Sequence, residues 1–194
     1  DKIFNGLSEQ CKNKKISGIH FVDEALPPAA VKKFSLLNMK KNNSALSFWG
    51  NVRFEKVWNR DITDLCAKGG LIGVSGGIEI ATGSGLDKIS KGTDLESIVS
   101  ACCAFKESGI LIHAYMIFGY YGESEQDIIN SMETLRQFFE AGLLDSCFWH
   151  KFVLTRHSRL YDEWQKGMHK NLKPYENKNS GIFAKNGIHF EGEE

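Results

Sequence analysis

Acidic residues follow two short apolar runs, where carboxylates can do chemistry. Asp23 and Glu24 come after residues 16–22, and Glu79 comes after residues 71–75, three more apolar or glycine residues intervening. A carboxylate beside an apolar strand is costly unless it meets a hydrogen-bond donor. These acids could bind a cationic ligand or act as general acids and bases. Asp23 and Glu24 have an equally good explanation as acids that precede a helix.

Glycines and polar residues follow the other apolar segments. These residues are Arg60 after residues 52–58, Lys91 after a short helical segment, Gly119, Gly122 and Glu123 after residues 110–118, and Thr155 after residues 147–154. Ordinary structural roles compete with ligand binding at each position. Glycines suit turns, Arg60 beside Asp61 suits a surface ion pair, and Lys91 suits the carboxyl end of a helix.

The cysteines and histidines do not form a metal-binding pattern. The five cysteines are Cys11, Cys66, Cys102, Cys103 and Cys147, and none belongs to a C-x-x-C or C-x-x-x-C-x-x-C spacing. Their scatter predicts structural thiols. His113 and His150 lie inside predicted strands, which predicts core or barrel-lumen positions. Residues 83–85 lack the pattern of a phosphate-binding loop. We therefore assign no metal ligand.

Elements that could position these residues are predicted from five apolar runs, each followed by a helical pattern. The runs are residues 16–22, 52–58, 71–75, 110–118 and 147–154. Near-continuous hydrophobicity is typical of parallel strands. The α/β pattern predicts an incomplete parallel (β/α) barrel of about five strands with outer helices in residues 1–167. Residues 168–194 are polar and predict a C-terminal extension. The carboxyl ends of such strands form the ligand site.

Helix starts are predicted from capping residues. Pro27 and Pro28 precede the first long helical pattern, and Asp61 can cap the next. Thr93 with Glu96 predicts a capping box, and Ser124 with Asp127 predicts the start of the helix over residues 125–141.

Composition narrows the class of protein. The chain has 194 residues, of which 42% are hydrophobic, and its formal net charge is zero. This content suits one globular domain. Nucleic acid is not indicated, since no basic excess is present. The apolar stretches are too short to span a membrane, and the first residues do not have the pattern of a signal peptide. We expect a cytoplasmic protein.

Four stretches, taken in order, resemble the radical S-adenosylmethionine (radical SAM) superfamily. They are residues 21–24, residues 77–79 with 86–92, residues 118–124 and residues 154–161. The resemblance is strongest to the branch related to cobalamin-binding radical SAM enzymes and methylthiotransferases. It implies the catalytic core of an enzyme that binds S-adenosylmethionine (SAM) and a [4Fe–4S] cluster in the full-length protein. Cobalamin is compatible with this branch, and the substrate is unknown.

The resemblance also implies a role for each matching residue. Asp23 and Glu24 correspond to the acids that receive the amino group of SAM, and Glu79 to a residue that contacts its methionine or ribose part. Lys91 corresponds to a basic position near the SAM carboxylate. Residues 119–123 and 155–158 correspond to the adenine side. Arg60 corresponds to a strand end that faces SAM or substrate.

The sequence departs from the family pattern in one essential feature. The family's first strand and its three-cysteine loop, which holds the cluster, have no counterpart in these residues. We therefore expect an excised piece of a longer protein, with no cofactor bound to this chain and no radical chemistry of its own. An exposed edge at residues 16–22 would favour dimerisation by strand pairing.

Two other functions fit the same pattern. One is a non-catalytic module of the same fold that binds a nucleoside or a partner protein. The other is a cofactor-independent β/α-barrel enzyme that uses Asp23, Glu79 or Glu123 as acid–base groups.

Overall fold

The computed structural model describes residues 2–40, 46–88, 92–175 and 186–191. Seven helices and eight strands are assigned within these residues. The helices are α1 (Lys2–Lys14), α2 (Pro28–Met39), α3 (Arg60–Lys68), α4 (Gly83–Lys88), α5 (Leu95–Glu107), α6 (Glu125–Glu140) and α7 (Arg159–Gln165). The strands are β1 (Gly18–Phe21), β2 (Ser47–Asn51), β3 (Leu71–Glu79), β4 (Leu111–Phe118), β5 (Ser146–Lys151), β6 (Leu154–Thr155), β7 (Lys173–Tyr175) and β8 (Gly187–Glu191).

Strands β1 to β5 form one parallel sheet in the order β1-β2-β3-β4-β5. Because consecutive strands are neighbours, right-handed crossovers place the connecting helices on one face. On that face of β4, Ile112, Ala114 and Met116 are fully buried, whereas Leu111 on the opposite face is 46% exposed. The predicted α/β fold, an incomplete parallel barrel of five strands with outer helices, is confirmed.

The predicted second strand is wrong. Residues 52–58 form no strand, and β2 lies immediately before them. Val52, Phe54 and Trp58 are at most 3% exposed, because this segment packs its apolar side chains over the helix-covered face. Phe54 lies against Gly76 of β3, where an added Cβ would come within 2.6 Å of the ring. Burial without strand pairing therefore produced the apolar pattern.

The predicted fifth strand also extends too far. Strand β5 ends at Lys151, and β6 pairs antiparallel with β8 in a separate sheet of order β6-β8-β7. This sheet and α7 have their own apolar cluster, which contains Leu154, Leu160, Leu172 and Ile188 together with Tyr121 from the loop after β4. Residues on both sides of the predicted boundary at 167 contribute to this cluster.

The larger core lies between the parallel sheet and its helices. Aromatic rings fill one end of it: Phe34 of α2 makes edge-to-face contacts with Phe4, Phe21 and Phe48 at centroid distances of 4.8–5.1 Å. Such contacts stabilise a core beyond the burial of apolar area alone. They fix α1 and α2 against the first two strands.

The helix caps agree in part with those predicted from the sequence. Ser124 and Asp127 lie at the start of α6 as predicted, and they form a capping box. Asn59, and not Asp61, caps α3 by accepting a hydrogen bond from the Ile62 amide. At α5 the cap is Asp94, which accepts hydrogen bonds from Ser97, so the predicted capping box at residue 93 is wrong. In each correction the neighbouring residue has the extended backbone that an N-cap requires.

No described helix combines the length and the apolar character that crossing a membrane would require. The outer edges of β1 and β5 pair with no further strand within the described residues. Dimerisation through the β1 edge stays a prediction.

Candidate functional site at the carboxyl ends of the strands

The carboxyl ends of β1, β3 and β4 lie along one staggered edge of the parallel sheet. Strand pairing puts Phe21 in one row with Ile112 of β4, and Glu79 opposite Met116. At about 3.3 Å per residue, Glu79 lies roughly 7 Å beyond Asp23 along the strand direction, and Gly119 roughly 17 Å beyond it. Such a stagger is expected for strands of a barrel. An elongated ligand could therefore contact all three strand ends.

The acids after β1 lie on the surface at this edge. Asp23 and Glu24 are both exposed. The backbone carbonyl of Asp23 accepts a hydrogen bond of 2.9 Å from Nδ2 of Asn51, at the end of β2. This bond ties the turn after β1 to the next strand, so the position of Asp23 is fixed relative to the sheet.

Asn51 is a polar residue at the edge that the sequence did not reveal. Its Oδ1 is buried and has no hydrogen-bond partner within the described residues. A buried acceptor without a partner is uncommon in proteins. The signal was missed because residues 47–51, with Ser, Gly and Asn among them, are less apolar than the segment that follows.

Glu79 has an unusual backbone conformation. It is half-buried, and its φ is +67° in the left-handed region. The strand pairing shifts register between Gly77 and Glu79, so a bulge redirects the chain at this point. A left-handed non-glycine residue costs about 1–2 kcal/mol. Bulges and strained residues are common beside binding sites, where they orient a side chain.

The loop after β4 is organised by Glu123. Gly119 and Gly122 have φ of +75° and +74°, which favours glycine at both positions. Oε2 of Glu123 accepts hydrogen bonds from the Gly119 amide at 2.5 Å and from the Tyr120 amide at 3.2 Å. Its Oε1 is buried without a hydrogen-bond partner within the described residues. Around Gly119 an added Cβ would meet only Cγ of Lys151, at 4.0 Å. The backbone of Gly119 is therefore accessible to a ligand.

Arg60 does not lie at this edge, and Thr155 lies outside the parallel sheet, four residues beyond the carboxyl end of β5. Arg60 opens α3 and donates to Asp64 and Glu107, each at 2.8 Å. Glu107 ends α5 just before the amino end of β4, so Arg60 lies at the opposite end of the sheet. Thr155 belongs to the antiparallel sheet, and its carbonyl accepts a 2.8 Å hydrogen bond from the Ser158 hydroxyl. Lys91 lies outside the described residues.

The face of the sheet that the helices leave open is lined by aromatic rings and imidazoles. The ring of Tyr115 lies 5.0 Å from that of His113 and 6.0 Å from that of His150, which in turn lies 4.5 Å from Phe148. Nδ1 of His113 is 2.8 Å from the Ser146 hydroxyl. His113 and His150 therefore lie in the barrel lumen, one of the two environments expected for them. Such rings can contact a planar ligand.

The cysteines do not fit an iron–sulfur cluster. Cys11, Cys66 and Cys102 are buried, and burial raises the pKa of the Cys102 thiol to about 12. Burial also raises the pKa of the Cys66 and Cys147 thiols. Cluster ligands are thiolates, which a raised pKa disfavours. No group of three His, Cys, Asp or Glu side chains that could hold a metal occurs in the described part of the chain.

Comparisons with known proteins give structural matches only. No protein-family model matches the sequence, and no curated protein matches it. Among solved structures, the chain is similar to the radical SAM methyltransferase TsrM from Kitasatospora setae, described with cobalamin and a [4Fe–4S] cluster bound. The TM-score is 0.71 at 16% identity, over 89% of this chain and 36% of that one.

Two further radical SAM enzymes are similar. The cobalamin-dependent enzyme OxsB matches with a TM-score of 0.61 at 17% identity, over 86% of this chain and 25% of that chain. Coproporphyrinogen III oxidase (HemN) from Escherichia coli matches with a TM-score of 0.59 at 15% identity, over 78% of this chain and 34% of that chain. This chain thus has the fold of radical SAM enzymes, and it spans about a third or less of their length.

Proposed function

We propose that this chain is the SAM-binding part of the catalytic core of a radical SAM enzyme. The observation that carries the proposal is the common edge at which Asp23 follows β1, Glu79 ends β3 and Gly119 follows β4, in a sheet whose fold matches that enzyme class. SAM carries an ammonium group, a carboxylate and a nucleoside. Acids suit the ammonium group, and an open glycine backbone suits the flat nucleoside.

Two buried acceptors support the same edge. Oδ1 of Asn51 and Oε1 of Glu123 lack partners within the described residues. Asn51 lies beside Asp23 through its own hydrogen bond. An ammonium or hydroxyl donor from a ligand would satisfy such acceptors, and leaving them unpaired costs about 1–3 kcal/mol each. The residues present therefore fit SAM.

The cysteines of this chain, in contrast, do not fit the [4Fe–4S] cluster. The buried thiols do not fit it, and we propose that other cysteines of the whole protein hold the cluster. SAM when bound to such a cluster supplies a radical, and the residues described above bind and orient it. We propose SAM binding for this chain alone; the substrate, the reaction and any use of cobalamin are properties of the whole protein.

Titration calorimetry of this chain with SAM tests the proposal. We expect a dissociation constant on the order of 1 mM or tighter, which corresponds to about −4 kcal/mol. Glu79→Gln and Asn51→Ala should each weaken binding at least several-fold, since both alter the proposed contacts. Arg60→Gln is the matched control and should leave binding unchanged. Absence of binding, or weakening by the Arg60 variant alone, would refute the assignment.

A second candidate is a non-catalytic nucleoside-binding module, which the buried cysteines favour. Anaerobic reconstitution of the natural full-length protein with iron and sulfide separates the two. A [4Fe–4S] absorption spectrum together with reductive cleavage of SAM supports the enzyme. SAM or adenosine binding without any cluster supports the module.

A further inference from the structure

The loop after β4 packs against the small antiparallel sheet through two tyrosines. The Tyr121 side chain is 5% exposed and belongs to the apolar cluster of α7 and that sheet. The ring of Tyr120 lies 4.7 Å from that of Phe152, and it packs against the same cluster. The antiparallel sheet therefore contacts the loop that carries Gly119.

One polar contact orients a ring beside Tyr121. Nε2 of His169, in the turn between α7 and β7, lies 2.9 Å from Oε2 of Glu163 in α7. The two side chains are only 27% and 21% exposed. The imidazole lies 5.5 Å from the ring of Tyr121 at an interplanar angle of 81°, an edge-to-face arrangement that is attractive between aromatic rings. Glu163 thus fixes the ring that contacts Tyr121.

The turn that carries His169 has an unusual backbone. The φ of His169 is +54°, in the left-handed region that residues other than glycine adopt uncommonly. The Met168 amide donates to the Glu163 carbonyl at 3.1 Å, and the Leu172 amide donates to the His169 carbonyl at 2.9 Å. Such a conformation persists only when the surrounding contacts hold it. The turn therefore directs the imidazole back towards α7.

Charge strengthens the bond between Glu163 and His169. The pKa of Glu163 is lowered, first by its hydrogen bond with His169 and then by that with Arg159. Nε of Arg159 donates to the other carboxylate oxygen, Oε1, at 2.6 Å. An ionised carboxylate only accepts hydrogen bonds, so Nε2 of His169 is the donor. Hydrogen bonds to an ionised acceptor are stronger than those between neutral groups.

We propose that His169 is a positioning residue for SAM binding, which fixes Tyr121 and through it the loop from Gly119 to Glu123. This inference rests on the proposed function, in which the open backbone of Gly119 receives the nucleoside part of SAM. Glu123 closes the loop from within, and His169 supports it from the antiparallel sheet. The residues after β5 are then a working part of the SAM site.

Variants of His169 separate its two contacts. His169→Ala loses both, His169→Phe keeps a ring beside Tyr121, and His169→Gln keeps a donor for Glu163. In the Ala variant we expect amide hydrogen exchange at Gly119 and Tyr120 to be at least fivefold faster and SAM binding to be at least threefold weaker. The Phe and Gln variants should each recover part of both properties. NMR exchange rates and titration calorimetry measure them.

A matched pair of variants tests the partner of His169. Glu163→Ala releases the imidazole and should speed exchange in the loop to about the level of the His169→Phe variant. Asp162→Ala is the control, because it removes the neighbouring acid of α7, which pairs with Lys166 on the surface, and it should leave the loop unchanged. Exchange at Ala114, in the middle of β4, should stay constant in every variant, which separates a local effect from unfolding.

Unchanged exchange at Gly119 and Tyr120 in the His169→Ala variant would overturn the inference. Faster exchange without weaker SAM binding, in a chain that does bind SAM, would overturn it as well. Exchange is measured without ligand, so failure of the proposed function is a distinct result. A chain that never binds SAM refutes that function, and its exchange rates still decide whether His169 holds the loop.

Discussion

The carboxylate of Glu123 accepts a hydrogen bond from the backbone amide of Gly119, with 2.5 Å between Oε2 and the nitrogen. The same oxygen accepts from the Tyr120 amide. A side chain therefore closes the loop that follows β4 and holds the left-handed Gly119 in place. Glu123 thus positions the loop through Oε2, and its Oε1 is the acceptor that we propose for a donor of the ligand.

Glu123→Ala should open this loop, because two backbone amides lose their acceptor. We expect faster amide hydrogen exchange at Gly119 and Tyr120 and weaker SAM binding. Glu123→Gln keeps one carbonyl acceptor and should recover part of both properties. Exchange rates measured by NMR check this, and unchanged protection in the Ala variant would show that the carboxylate does not order the loop.

Removing the side chain of Glu79 should reveal its backbone strain. Glu79→Gly and Glu79→Ala both delete the carboxylate, but only glycine adopts φ of +67° without cost. We expect the Gly variant to be more stable than the Ala variant by about 1 kcal/mol, measured by urea unfolding. In an ordinary strand the order is reversed, so a more stable Ala variant would contradict the left-handed conformation.

Asn38 should be important for stability although it lies far from the proposed site. It is fully buried. Its Nδ2 donates hydrogen bonds to the carbonyls of Leu46 and Gly69, each at 2.7 Å, and its Oδ1 accepts one from the Leu46 amide at 3.0 Å. Asn38→Ala leaves these groups without their partner and should cost about 2–4 kcal/mol of unfolding free energy. Asn130→Ala, on the surface of α6, should change stability by less than about 0.5 kcal/mol.

Acid should weaken the contact between α3 and α5. The pKa of Asp64 is lowered from its usual value, first by the hydrogen bond from Ser108 and then by Arg60. A lowered pKa contributes stability that is present above the unfolded-state pKa and is lost as pH falls through the folded-state pKa. Ser108→Ala should raise the pKa of Asp64 towards its usual value, as carboxyl NMR titration would detect. An unchanged pKa of Asp64 in the Ser108 variant would mean that the 2.7 Å hydrogen bond between Ser108 and Asp64 does not lower that pKa.

Much of the fold could be predicted from the sequence, because hydrophobic periodicity reports burial. The apolar runs predict strands β3 and β4, and the capping residues predict the start of helix α6. Strand β2 could not be found in this way. Its Gly50 faces Leu26, whose Cδ1 would lie 2.4 Å from an added Cβ, so close packing requires a residue that lowers the apolar signal. Residues 52–58, which contain a turn at residues 56–57, are more apolar but form no strand.

For the same reason, some residues of the candidate site could be predicted from the sequence and others could not. Asp23 and Gly119 follow strands whose bounds the sequence predicts closely, whereas β3 runs four residues beyond the predicted 71–75 and ends with Glu79 itself. The fold brings these strand ends to one edge. The apolar pattern of residues 52–58 predicts a strand and therefore places Arg60 at a strand end, which the fold does not. Asn51 was missed through the same error. Strand pairing depends on contacts between distant residues, which a local pattern does not contain.

The most direct test of the central claim is an amide chemical-shift map of this chain during titration with SAM. The account predicts that shifts concentrate at residues 78–80 and 119–123, at the carboxyl ends of β3 and β4. The amides of Arg60 and Asp61, at the other end of the sheet, should not move. Shifts confined to the amino end of the sheet, or no shifts at saturating SAM, would contradict it.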